Sequence, residues 1–460
     1  MSSLIIEVCK VEAVRKHPNA DRMCIVTVKG WDVIAGRDDK TGVMQFAPGD
    51  KCVYFPPETV IPHEISDRMG VTKYLTPMPK DEDGNRPEES RIRVARLRGE
   101  ASYGLLMACE DETWEVGLDV ADHYHAYKYD PPPPCNGDID RDHPAFHHYY
   151  DMENIKNFPT EVFSPGDEVV VTEKIHGMNC RLGLIRVADE KGNAVWRWMA
   201  GSHDVRWKEW SIPTKRYSAV ALHASMVIDK PEVEVGQIID FKNGKYWRVD
   251  ELIEEDEDRE DEDRALFRAT RMVADSPGPG QFEVDLVRSD FWKCFSPETR
   301  NFLIEVSKCG HDEPEGKPVN GGYNVVLFGE RYGSGVQAGY GYGFDEGETS
   351  LRAFDVTVDR KYLNFNEKVE LLERHDVPMV PLLWRGPFAQ EKIDELTEGP
   401  SMLSEGSQAE DDTVKVGREG VVVLSATERP VACEARVFDR AQLKSINFAY
   451  LARKGGTEFH

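Results

Sequence analysis

Four consecutive prolines, Pro131 to Pro134, stand between Asp130 and Cys135-Asn136-Gly137, and no other stretch restricts the fold of this chain as much. Each ring fixes φ and removes a backbone N–H, so neither a helix interior nor a central strand can pass through them. A run of prolines instead stiffens the backbone into an extended spacer. The chain is therefore expected to divide into residues 1–130, a proline-rich linker over 131–150, and residues 151–460. At 460 residues, 40% hydrophobic and 10% aromatic, each part is long enough to bury its own core.

Ahead of the prolines, short β-branched runs alternate with turn signals: Leu4-Ile5-Ile6-Glu7-Val8, Cys24-Ile25-Val26-Thr27-Val28, Lys51-Cys52-Val53-Tyr54-Phe55 and Arg91-Ile92-Arg93-Val94. Such spacing predicts a small β-barrel of the OB type, a shape suited to nucleic acid. Arg91, Arg93, Arg96 and Arg98 form the densest basic group of this half. They read either as a solvated strand face or as contacts to a phosphate backbone.

Beyond the prolines, Val170 to Arg181 reads VVTEKIHGMNCR, with a lysine just before a His-Gly pair at the end of an apolar run. A lysine amine can attack the α-phosphate of a nucleoside triphosphate and form a phosphoramidate. An ordinary lysine is neutral in only roughly one molecule in a few thousand at pH 7, so such a site must take the proton away. Further on come Val325 to Glu330, Phe354-Asp355-Val356, Arg418 to Val423, and Leu443-Lys444-Ser445-Ile446-Asn447. In this order, with Glu173 to Asn179, they resemble motifs I, III, IIIa, IV and V of the ATP-dependent RNA ligases. The HG form of the first motif resembles the branch typified by phage RNA ligase 2. The amino-terminal half, through Leu97-Arg98-Gly99 and Ser102 to Met107, resembles the OB module of Deinococcus-type RNA ligases.

That resemblance implies an α+β chain: an N-terminal OB-type β-barrel for nucleic acid, then an antiparallel-sheet nucleotidyltransferase (adenylyltransferase) domain. It implies that ATP adenylylates Lys174, with Glu173, His176 and Asn179 binding the nucleotide. Glu330 would accept from a ribose hydroxyl, Phe354 would stack on adenine, Glu419 would hold Mg²⁺ or Mn²⁺, and Lys444 would neutralise the α-phosphate. Arg206, Arg96 and Arg98 would contact RNA. AMP then passes from Lys174 to an RNA 5′-phosphate, and a 3′-hydroxyl expels it, as relatives do at nicks in duplex RNA or RNA/DNA. Motif V departs from the pattern, holding one lysine where many relatives have K-x-K; Arg440, Arg453 or Lys454 would supply the missing charge. Two other readings stay open: a capping-type guanylyltransferase, which normally carries its OB module after the transferase domain, and an RNA-binding protein with an inactive transferase domain.

A net charge of −26 opposes phosphate binding. Asp250 to Asp263 and Glu391 to Asp412, with net −10 and −7, hold 17 of those charges. The first run belongs to an acidic insert over about 211–320 and, with Ser276-Pro277-Gly278-Pro279-Gly280, reads as a solvated or disordered face. Nine scattered cysteines without CxxC spacing signal neither disulfides nor zinc, and Cys180 reads as a buried small hydrophobe. Phe365, Val369 and Leu372 predict a helix packed into the core over Asn364 to His375. The absence of a long apolar run predicts no membrane span and a cytoplasmic protein.

Overall fold

A computed structural model describes residues 4–36, 45–80, 85–130, 139–211, 215–216, 219–222, 225–228, 238–240, 246–252, 265–272, 287–404, 417–432 and 437–452. The proline run, most of the acidic run Asp250–Asp263, the Ser276–Gly280 stretch, the acidic span 405–412, Arg453 and Lys454 lie outside those residues.

The chain forms two compact units, neither of them a single run of sequence. The first comprises Met1–Pro131, Tyr150–His176 and Val380–His460; the second comprises Pro132–Tyr149 and Gly177–Met379. The amino-terminal segment and the strand that carries Lys174 therefore share one unit.

In the first unit, the β-branched run Val169-Val170-Val171-Thr172 makes Glu168–Lys174 a strand buried on both faces. It lies inside a four-stranded antiparallel sheet in the order Leu382–Pro387, Glu168–Lys174, Gly420–Ser425, Gln442–Ile446. Val169, Val171, Val421, Val423 and Leu443 pack one face against Ile393 of the helix Gln390–Thr397. The amino-terminal strands form separate ladders. Glu7–Lys10, Lys51–Phe55 and Leu105–Ala108 make one, Ala13–Lys16, Met23–Val28 and Trp31–Gly36 another, and a third holds Tyr127–Lys128, Thr59–Pro62, Glu89–Arg91 and Thr76–Pro77. Among the described residues they do not close into the expected barrel. Pro56, Pro62 and Pro77 stand at strand ends, where a residue without an N–H cannot carry a ladder onward.

The second unit is built on a seven-stranded sheet in the order Ile139–Asp140, Arg206–Trp207, Ala194–Gly201, Met178–Ala188, Val325–Gly333, Thr349–Val358, Lys361–Tyr362. Its core joins Leu182, Leu184, Trp196, Leu327 and Val356 of the sheet to Phe302 and Leu303 of the helix Pro297–Ser307, capped by Ser296, and to Leu372. The expected helix is present as Phe365–Arg374, with Phe365 and Leu372 buried and Val369 half-buried. Its pattern hid Lys368, which is also buried and pairs with buried Asp355 at 3.0 Å. Strands Lys215–Arg216, Ile238–Asp240, Tyr246–Leu252, Ala265–Met272, Ser225–Ile228 and Ala219–Leu222 of the insert make a six-stranded sheet, so the insert holds ordered pairing that its acidity concealed. Among the described residues no helix is long and apolar enough to cross a membrane.

Candidate functional site

Sheet register organises the lysine face of the first unit. Lys174 lies opposite Gly420, which lies opposite Ile446; Thr172 lies opposite Val422, which lies opposite Lys444. Directly paired residues share a face, as do residues two apart on one strand, so Lys174 and Lys444 belong to the same face. Gly420 lets these strands approach, since a Cβ there would collide with the Ser445 carbonyl oxygen.

Lys174 Nζ donates to Glu419 Oε1 at 2.6 Å. Glu419 is 1% exposed, and its second oxygen lies 3.5 Å from His176 Nδ1, beyond hydrogen-bonding range and with no hydrogen bond among the described residues. A buried carboxylate oxygen left so fits a cation ligand, although no three His, Cys, Asp or Glu side chains gather as a ready-made metal site among the described residues. Tyr450 Oη and His176 Nδ1 are 2.9 Å apart.

Glu173 pairs with Val421 and so lies on the opposite face from Lys174. Its carboxylate accepts from the Ser401 hydroxyl and from Met402 N at 2.9 Å, with Arg418 Nε at 3.7 Å. Lys444 is buried, and its backbone N–H donates to Glu153 O at 2.9 Å. Arg440, a candidate for the missing motif V cation, is held by Glu428 at 2.8 Å. Arg96 and Arg98 are exposed. Arg96 Nε donates to Ala452 O at 3.1 Å, and Arg98 turns the chain with φ +49°.

The second unit holds the rest of the set. Asn179 pairs with Glu330 across adjacent strands, and Glu330 Oε1 accepts from Gly177 N at 3.0 Å. Gln337, which the sequence reading missed, donates to Gly177 O at 2.7 Å. Only glycine fits at 177, because a Cβ would meet the Arg331 carbonyl oxygen. Asn179 Oδ1 is buried without a hydrogen bond among the described residues, and so has acceptor capacity for a ligand. Between the pairs Phe328–Asp355 and Gly329–Ala353, Phe354 is the extra residue of a β-bulge. Bulges re-aim side chains. The Phe354 ring is half-buried and meets Tyr149 edge-on, centroids 5.0 Å apart. Asp355 beside it accepts from Tyr149 Oη at 2.8 Å as well as from Lys368.

Arg206 is paired with Asp140. Arg181, overlooked in the sequence, is fully buried, donating to Ser202 O at 2.6 Å and Phe146 O at 2.8 Å. Burial pushes its guanidinium down to about 10, so it stays cationic near neutral pH. Cys180 is buried as expected, and burial raises its thiol.

Residues 299–446 match the RNA ligase family model. That span holds Glu330, Phe354, Glu419 and Lys444. Residues 5–109 match an OB-fold domain model. Among curated proteins no sequence matches significantly. Solved structures of an RNA ligase from Naegleria gruberi are similar over nearly the whole chain. The form with PPi is 18% identical with a TM-score of 0.54, covering 98% of each chain. Two variant forms, a lysine-to-alanine one with ATP and Mn and a glutamate-to-alanine one with AMP and Mn, are each 19% identical with a TM-score of 0.56, covering 99% of this chain and 100% of that one. At that identity the likeness shows the fold.

Proposed function

We propose that this chain is an ATP-dependent RNA ligase that works through a lysyl-AMP intermediate on Lys174. The observation that carries this reading is the Lys174–Glu419 contact, with Lys444 on the same sheet face, in a chain whose residues 299–446 match the RNA ligase family model. The ATP, AMP and Mn bound by the Naegleria enzyme support ATP as the nucleotide and Mn²⁺ or Mg²⁺ as the metal.

Attack on the α-phosphorus requires a free amine, and Glu419 Oε1, at 2.6 Å, is the atom placed to receive the proton from Lys174; the new N–P bond replaces the bond to the β-phosphate, and pyrophosphate leaves. When bound, a divalent cation held by Glu419 supplies charge neutralisation at the phosphates. His176 and Lys444 present donors to phosphate oxygens. For the second unit, it is the motif resemblance that assigns Glu330 and Asn179 to the nucleotide's ribose and Phe354 to its adenine. AMP passes to an RNA 5′-phosphate, and a 3′-hydroxyl displaces it to form the phosphodiester. RNA nicks in duplexes as the preferred substrate, and Deinococcus-type membership, extend the same reading.

Incubation with ATP and Mn²⁺, followed by mass spectrometry of the intact chain, is expected to show one AMP adduct mapping to Lys174. A GMP adduct from GTP would replace this reading with a capping-type guanylyltransferase. No adduct with either would leave an RNA-binding protein.

Glu419→Gln keeps the size of the side chain but cannot take the proton, and without its charge holds a divalent cation only weakly. Lysyl-AMP formation is expected to slow about a hundredfold, measured by single-turnover labelling with ATP. A rate near wild type would remove Glu419 from the chemistry.

A further inference from the structure

The short helix Phe448–Leu451, directly after the last ligase motif, is gripped at both ends of its length. Asn447 begins it, its Oδ1 accepting from Ala449 N at 2.7 Å and its own N–H donating to Glu419 O at 2.9 Å. The amino-terminal segment of the same unit holds the rest. Tyr103 Oη donates to Phe448 O at 3.0 Å, and Arg96 Nε donates to Ala452 O at 3.1 Å. The Phe448 ring meets Trp31 and Tyr103 edge-on, with centroids 5.3 and 5.4 Å away. Lys156 Nζ sits 3.9 Å from the Phe448 centroid and 4.3 Å from that of Trp31 while donating to Gly30 O at 3.1 Å. Burial lowers this ammonium to about 8, which leaves it mostly cationic at neutral pH and able to attract both rings.

From that helix Tyr450, 3% exposed, reaches His176. Its hydroxyl is 2.9 Å from Nδ1, and the two rings meet edge-on at 5.1 Å. Nδ1 is 3.5 Å from Glu419 Oε2, and Glu419 Oε1 is 2.6 Å from the nucleophile. The contacts thus run without a break from Arg96 and Tyr103 through Phe448–Leu451 and Tyr450 to His176, Glu419 and Lys174.

We propose that Tyr450 is a positioning residue for lysine adenylylation, its hydroxyl fixing the His176 imidazole, and that the amino-terminal segment sets Tyr450 by gripping the helix that carries it. With the phenol donating to Nδ1, the ring proton of neutral His176 resides on Nε2, which then serves as a donor to phosphate. Without the phenol this constraint is lost: the imidazole can rotate or exchange tautomers, and Nε2 no longer presents a fixed donor to the reacting phosphate. The amino-terminal segment, read from sequence as serving RNA alone, thereby acts on the first chemical step as well.

This inference rests on the RNA ligase reading, and a double-mutant cycle separates the two. The rate of lysyl-AMP formation is measured in single turnover with ATP and Mn²⁺ for the full chain, for Tyr450→Phe, for His176→Ala, and for both together. Tyr450→Phe is expected to be about tenfold slower than wild type, with the Kd for ATP and the melting temperature little changed. In the His176→Ala background the same change is expected to cost less than about twofold, since coupled residues are not additive. Tyr103→Phe, which releases the Phe448 carbonyl, should show the same pattern with a smaller effect. Equal slowing in both backgrounds, or no slowing in either, overturns the positioning role. An absence of adduct on the wild-type chain overturns the ligase reading instead.

Discussion

Lys174→Arg is expected to abolish AMP adduct formation, a loss of at least roughly a thousandfold, while leaving ATP binding largely intact. Arginine keeps the positive charge, can still pair with Glu419, and still binds phosphate. What it lacks is a free amine, because a guanidinium with a pKa above about 12 stays protonated at working pH. The variant should therefore fail on an RNA nick bearing an ordinary 5′-phosphate. RNA already carrying a 5′-adenylate bypasses the lysine step, so sealing of that substrate should persist. Gel assays of both substrates, with acid-stable labelling from ATP, test the claim. Sealing of ordinary 5′-phosphate ends near the wild-type rate would show that Lys174 is not the nucleophile.

Lys368→Met should be the most damaging of these changes to stability. Lys368 and Asp355 are buried, 1% and 0% exposed, and form an ion pair at 3.0 Å. Removing one partner of a buried pair strands the other charge, at a cost of about 3–5 kcal/mol. The Tyr149 hydroxyl at 2.8 Å and the adjacent Val356 N–H at 3.2 Å also donate to Asp355, but neutral donors do not replace the charge of an ammonium. A melting temperature lower by roughly 10 °C is expected, and adding Asp355→Asn, which removes the stranded charge, should recover much of it. Because Asp355 directly follows the bulged Phe354, the Kd for ATP should weaken in Lys368→Met as well. An unchanged melting curve would mean that the pair carries no net stabilisation.

The sequence made some parts of this molecule plain and hid others for identifiable reasons. The lysine strand was legible because Val169 to Thr172 is a β-branched run, and the helix at Phe365–Arg374 because its apolar residues recur at helical spacing. The residue types of the lysine cluster were legible through the motifs, but their directions were not. Glu173 is adjacent to Lys174, yet strand alternation sends its carboxylate to Ser401 and Met402 on the other face. A bulge at Phe354 breaks the two-residue period on which any inside–outside reading depends. Tyr450 was invisible because its partner His176 is 274 residues away. Short apolar runs ahead of the prolines suggested closure, whereas among the described residues they form separate ladders.

The residues around Glu173 have a consequence for how this chain can change over generations. Ser401 and Met402 meet its carboxylate from one side of the acid-rich span and Arg418 from the other, while Arg418 N donates to Gly399 O at 2.8 Å and Pro400 bridges to Gly417. The span is thus tied off at its base, one residue short of Glu419. Any change that loosens this knot is felt at once beside the nucleophile, one residue from Glu173 on the same strand, so selection should hold Ser401 and Arg418 strictly although neither touches a substrate.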